Sequence, residues 1–136
     1  MRAVRSRLLA SLRDDRGSSP VEFVLVGTML TLLTLGVLQL GLSIYVRNVV
    51  HDAAVEGAFH AALADTSLQD GARRTGEIIS RTVGGDYAAD IGVRETEDAG
   101  HATVEVTVRA TLPLVGLLGA PGSMEVTARA PDESFD

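Results

Sequence analysis

The chain of 136 residues is 46% hydrophobic and carries 12 basic against 18 acidic side chains, a net charge of −6 at pH 7. That length holds one small domain at most, and the acidity excludes the basic face that nucleic-acid binding needs. With no cysteine there is no disulfide framework, thiolate metal site or cysteine nucleophile, and 3 Phe and 2 Tyr without Trp make no stacking platform for bases or sugars.

These averages conceal an uneven chain. Residues 1–17 carry Arg2, Arg5, Arg7, Arg13 and Arg16 against Asp14 and Asp15, so five positive charges against two leave +3. The remaining 7 arginines and 16 acids leave −9 from residue 18 onward. Between the two lies Phe23 to Val46, 24 residues without a charge. As a helix this stretch spans roughly 36 Å, enough to cross a hydrocarbon core of about 30 Å with some tilt. Its few polar positions (Thr28, Thr31, Thr34, Gln39 and Ser43) form no solvated face, and a domain this small has little with which to cover such a helix. The stretch is therefore expected to span a membrane once. Five arginines precede it and only Arg47 follows closely, so the positive-inside rule puts the N-terminus in the cytoplasm and the acidic remainder outside. A secretory signal peptide fits poorly, because its apolar region should run about 7–15 residues and end at a small-x-small cleavage site. Here the run is longer and Arg47-Asn48 follows it.

The residues before the run are Arg16-Gly17-Ser18-Ser19-Pro20-Val21-Glu22-Phe23. A carboxylate at the membrane edge is costly, so Glu22 needs a reason. One is a place in the first turn of the helix, where the macrodipole favours negative charge, with Ser18 or Ser19 as cap and Pro20 in the first turn. The other emerges if the chain is cut after Gly17. Ser18 then supplies a new α-amino group, and Glu22 becomes the fifth residue of the product. In helices packed side by side, the amine of one subunit can pair with the carboxylate of its neighbour in a low dielectric, which sets axial register.

At Gly17 followed by Ser18-Ser19-Pro20-Val21-Glu22-Phe23 the sequence resembles the class III signal of type IV prepilins. More narrowly it is similar to the TadE-like pseudopilins of tight-adherence (Tad/Flp) pilus systems, whose RGSxxVEF pattern Arg16-Gly17-Ser18 and Val21-Glu22-Phe23 resemble. Asn48 to Phe59, NVVHDAAVEGAF, resembles the Ala-rich helix that follows in that family, and Val126-Thr127-Ala128-Arg129-Ala130 resembles its closing strand. The resemblance implies that an aspartyl prepilin peptidase cuts between Gly17 and Ser18. It also implies that Glu22, with Phe23 beside it, serves assembly and register. Phe23 stands where the major Flp pilins commonly have Tyr, which favours a minor component, and Pro20 is a less usual residue there.

Helical composition continues from Arg47 to Ala64, with Val50, Ala54, Ala58 and Ala61 on one narrow stripe. One helix of about 45 residues is expected. Asp65-Thr66-Ser67 breaks it, and Ser67-x-x-Asp70 reads as a capping box. A second helix then runs to about Val83, with Leu68, Ala72, Thr75, Ile78, Ile79 and Val83 on one face, and stops at Gly84-Gly85. Thereafter the period is two. Ile91 to Glu95 makes a short strand, Asp98-Ala99-Gly100 a turn, and His101 to Arg109 a second strand with Val104, Val106 and Val108 inward and Thr103, Glu105, Thr107 and Arg109 outward. Met124 to Ala130 is the third strand, with Met124, Val126 and Ala128 on one face. The apolar loop 112–119 reads as a lid over the sheet core or as a subunit-contact or membrane-surface patch outside the cell.

Asp52, Glu56 and His60 are four residues apart and could offer metal ligands, but a helix drifts about 80° over eight residues. A solvated face with acid–His pairing is the better reading. No GxSxG, P-loop or GxGxxG is present. Gly36 and Gly41, five apart, let the membrane helix bend or pack closely rather than forming GxxxG.

The expected fold is thus α+β and pilin-like: a long N-terminal transmembrane helix continuing into a small domain with a second helix and a three-stranded antiparallel sheet. Its parts are a basic leader (1–17), the long helix (18–64, transmembrane over 23–46) and an extracytoplasmic domain (65–136). The expected protein is no enzyme and needs no cofactor, metal, nucleic acid or small-molecule substrate. The partners implied by the resemblance are the prepilin peptidase, other pilin or pseudopilin subunits reached through the N-terminal helix, and the pilus assembly platform. The alternative is an uncleaved single-pass anchored protein of binding or scaffolding type.

Overall fold

The computed structural model describes residues 18–111 and 124–133. Five main elements follow one another: helices α1 (Ser18–Ala61) and α2 (Leu68–Thr82), then strands β1 (Asp90–Asp98), β2 (His101–Ala110) and β3 (Met124–Pro131), with a short 3-10 helix at Gly85–Ala88 before β1. The fold is α+β. The chain divides into two compact units between Leu38 and Gln39. α1 supplies all of the described part of the first and enters the second.

The second unit is built on small residues. The expected stripe Val50, Ala54, Ala58 and Ala61 is buried, joined by Val46 and Ala53. With Ile79 from α2 and the inner faces of β2 and β3 it forms one core. Where the helices meet, Gly57 of α1 lies against Gly71 and Thr75 of α2. A Cβ on Gly57 would stand 1.8 Å from Thr75 Oγ1 and 2.8 Å from the Gly71 carbonyl oxygen; one on Gly71 would stand 2.7 Å from the Gly57 carbonyl oxygen. No side chain fits between the two backbones at this point. The buried Thr75 hydroxyl turns back and donates to the Gly71 carbonyl at 3.0 Å, so no polar group is left unsatisfied there.

α1 ends at Ala61 rather than Ala64 because other groups take its last carbonyls. The Thr66 hydroxyl donates to the carbonyls of His60 and Leu63, and the Glu133 amide donates to Ala62 at 3.0 Å. α2 opens with the capping box: Asp70 N–H donates to Ser67 Oγ at 3.2 Å, and Ser67 N–H donates to Asp70 Oδ2 at 3.2 Å. It closes at Val83, before Gly84 at φ +113°.

The sheet has the order β1-β2-β3, antiparallel throughout. Val104, Val106, Val108, Met124, Val126 and Ala128 are buried on its inner face. β1 extends to Asp98, beyond the expected Glu95, because a two-residue turn pairs Asp98 with His101 and carries the ladder to its end. Both central residues, Ala99 (φ +51°) and Gly100 (φ +83°), have positive φ, as a type I′ turn requires. Only Gly100 adopts it without steric cost. The apolar segment 112–119 lies outside the described residues.

Two outcomes follow for thermal unfolding of the full chain in detergent. Gly57→Val should lower the melting temperature by an overpacking cost of about 1–3 kcal/mol; a value at or above the parent's would contradict the crossing. Ala99→Asn should raise it through a gain in stability of up to about 1 kcal/mol, since Asn tolerates the left-handed region better than Ala.

Candidate functional site

α1 presents two surfaces in succession. From Val21 to Tyr45 its large apolar side chains are exposed in the isolated chain, Phe23 by 80%. The helix is long and apolar enough to cross a membrane. Its hydroxyls are already satisfied by the helix itself: Thr28 donates to Val24, Thr31 to Gly27 and Thr34 to Leu30, each at 2.8 Å, and Ser43 to Gln39 at 2.9 Å. Such back-bonding removes the cost of taking a hydroxyl into hydrocarbon. Around Gly27, Gly36 and Gly41 no other described residue lies within 4 Å of where a Cβ would stand.

Gly17 lies outside the described residues. Ser18 is the first residue of α1, and Glu22 is its fifth. The first turn of the described helix holds no acidic residue, and Glu22 follows it directly. Its exposed carboxylate has no hydrogen bond or ion pair with another described residue, and Phe23 beside it is bare. Glu22 is the only charge between Ser18 and Val46.

Asp52, Glu56 and His60 do not converge. Glu56 reaches across to Arg74 of α2 at 3.1 Å, and Asp52 is exposed beside His51 at 3.8 Å. Among the described residues no group of three ligating side chains could hold a metal. The partner of Glu56 lies on another element, so the pattern of α1 alone could not reveal it.

A second constellation occupies the outer face of the sheet. Glu105, expected on that face, is there but only 2% exposed. Arg94 Nε donates to its Oε1 at 2.8 Å from β1, and Arg129 Nε to its Oε2 at 2.7 Å from β3. The two exposed arginines roof the carboxylate. Their hydrogen bonds, that of Arg129 foremost, hold the Glu105 carboxyl below its usual range against the opposing effect of burial. Four residues along, Arg109 Nε donates to Glu125 Oε2 at 2.8 Å, and between these charged rows the hydroxyls of Thr107 and Thr127 meet at 3.3 Å. Gly92 leaves an open depression of about 520 Å³ there. The sequence signal was present in the alternation of β2 with Arg and Glu outward. What it lacked was the register that sets Arg94 and Arg129 on either side of Glu105.

The family model described as TadE-like protein matches residues 17–58, from the glycine before α1 to the buried Ala58. This is the family that the sequence resembles, and the match covers both surfaces of α1. It is a structural, pilus-associated family rather than an enzymatic one. With the apolar helix, the match points to a membrane-anchored protein associated with Tad pili. No curated protein and no solved structure matches the chain.

Because the Glu105 carboxyl is lowered in the folded state, its stabilising contribution is complete above its ordinary value of 4.5 and is lost as pH falls through the lower folded value. Asp70, held low chiefly by the Ser67 hydroxyl, acts in the same direction. Glu105→Gln should cost roughly 2 kcal/mol at neutral pH. It should also make the fall in melting temperature below pH 4.5 shallower than in the parent. Parallel acid profiles for the two proteins would remove the carboxylate from this role.

Proposed function

We propose that the chain is a minor pseudopilin of TadE-like type. It is inserted as a precursor with its N-terminus in the cytoplasm and its folded unit outside, cut after Gly17 by a prepilin peptidase, and recruited through α1 to the assembly of a Tad/Flp pilus. The observation that carries this reading is the solitary Glu22, the fifth residue after the cut and the one charge between Ser18 and Val46, within the stretch that matches the family. Buried alone at the membrane edge the carboxylate would be costly. Beside the new α-amino group of Ser18 on a neighbouring subunit it gains a partner, and the pairing sets the axial register of the two helices. Phe23 and the exposed apolar side chains to Tyr45 then supply lateral contacts, and Gly27, Gly36 and Gly41 leave room for close approach. The assembly platform and other pilin or pseudopilin subunits are the partners this requires.

Intact-mass analysis of the protein from its own host should show loss of residues 1–17. Persistence of the full-length chain beside an active prepilin peptidase would overturn the reading and leave an uncleaved anchored scaffold. Glu22→Ala should still be cut but should enter pili or their assembly complexes far less than the parent. Undiminished incorporation would remove the register role.

A further inference from the structure

The outer face of the sheet is ordered in charge. Its first row across the strands is Asp90, Arg109, Glu125; its middle row is Gly92, Thr107, Thr127; its third is Arg94, Glu105, Arg129. The outer rows read minus-plus-minus and plus-minus-plus, so each is the inverse of the other and these three rows together are neutral. Two copies can lie face to face about a twofold axis parallel to the middle row. The first row of each then meets the third row of the other with like strands superposed: Asp90 meets Arg94, Arg109 meets Glu105, and Glu125 meets Arg129. The four contacts of Arg94 and Arg129 with Asp90 and Glu125 are attractive and join exposed groups, while Glu105 stays covered beneath its own two arginines where Arg109 faces it. The other twofold, parallel to the strands, lays each row on its own copy and sets Asp90 against Glu125 and Arg94 against Arg129, which is repulsive.

We propose that this face is a contact between two copies of the chain in the first arrangement. The charges needed are available. Arg94 and Arg129 keep exposed side-chain surface while holding Glu105, at 71% and 53%, and the Glu125 side chain is 54% exposed while it holds Arg109. The uncharged middle row lies on the axis, where a charge would meet its own copy. Sheets packed face to face stay within about 30° of alignment, which keeps these short rows in register.

Three strands about 4.8 Å apart and about 17 Å of strand length cover a few hundred Å². That is below the roughly 800 Å² per partner of a stable complex, and desolvation offsets part of the attraction. The contact therefore gives orientation more than affinity, and it forms between copies confined to one membrane, where local concentration is high. It depends on anchoring by α1 but not on cleavage after Gly17.

The test uses the full chain in liposomes. The sequence has no cysteine, so single replacements are the only thiols. Thr107→Cys and Thr127→Cys should each be linked to the same residue of a second copy by a short bismaleimide, several-fold more than Ser80→Cys on the exposed side of α2. Added salt should weaken this linking, and so should Glu125→Arg, which sets two arginines face to face, with the melting temperature verifying its fold. Linking of Thr127→Cys no better than that of Ser80→Cys, or indifferent to both salt and Glu125→Arg, overturns the contact. Preferential linking of Gly92→Cys to Thr127→Cys in mixed copies overturns the arrangement, since only the strand-parallel axis brings those two together.

Discussion

The folded unit depends on the approach of two backbones where Gly57 and Gly71 meet. An alanine-rich stripe offers little apolar area per residue, so it stabilises a core only if the surfaces it joins come very close. Glycine at both positions permits that approach, and Thr75 seals it by folding its hydroxyl back onto its own helix. With α2 so placed, Ile79 reaches the core formed with the valines of β2, and Gly76 faces Ile91 of β1. The carbonyls at the end of α1 are closed by Thr66 and Glu133, residues that this packing brings near.

One helix serves two solvents. Through Tyr45 it is apolar on all sides and bonds its own hydroxyls, which is what hydrocarbon demands. From Val46 it buries one stripe and turns Arg47, Asp52 and Glu56 to water or to Arg74, which is what a small folded unit demands. The family match spans this change of character. A subunit that is held by its helix and displays a folded unit is consistent with a pilus-associated role.

The sheet divides its labour by the same alternation. Its inner face is Val, Met and Ala; its outer face is arranged in charged rows about a polar one. Glu105 shows how far neighbours can change a residue. Its own position on β2 calls for an exposed carboxylate, yet two arginines from the flanking strands cover it, satisfy both oxygens and keep it ionised.

The sequence by itself determined what depends on local order. The uncharged run specified a long apolar helix, Ser67 and Asp70 specified where α2 starts, and period-two valines specified the strands and their buried face. It also placed Glu22 as the solitary charge at one end of that run, because charge spacing is visible without a fold. Tertiary structure alone decided what depends on residues distant in the chain. The close crossing needs Gly57 and Gly71 together, and neither is conspicuous within its own helix. Glu56 finds Arg74 and Glu105 finds Arg94 and Arg129 only once helix packing and strand register exist. Hydrophobic period and capping act over a few residues and can be read along a line, whereas ion pairs and backbone contacts between elements are properties of the assembled fold.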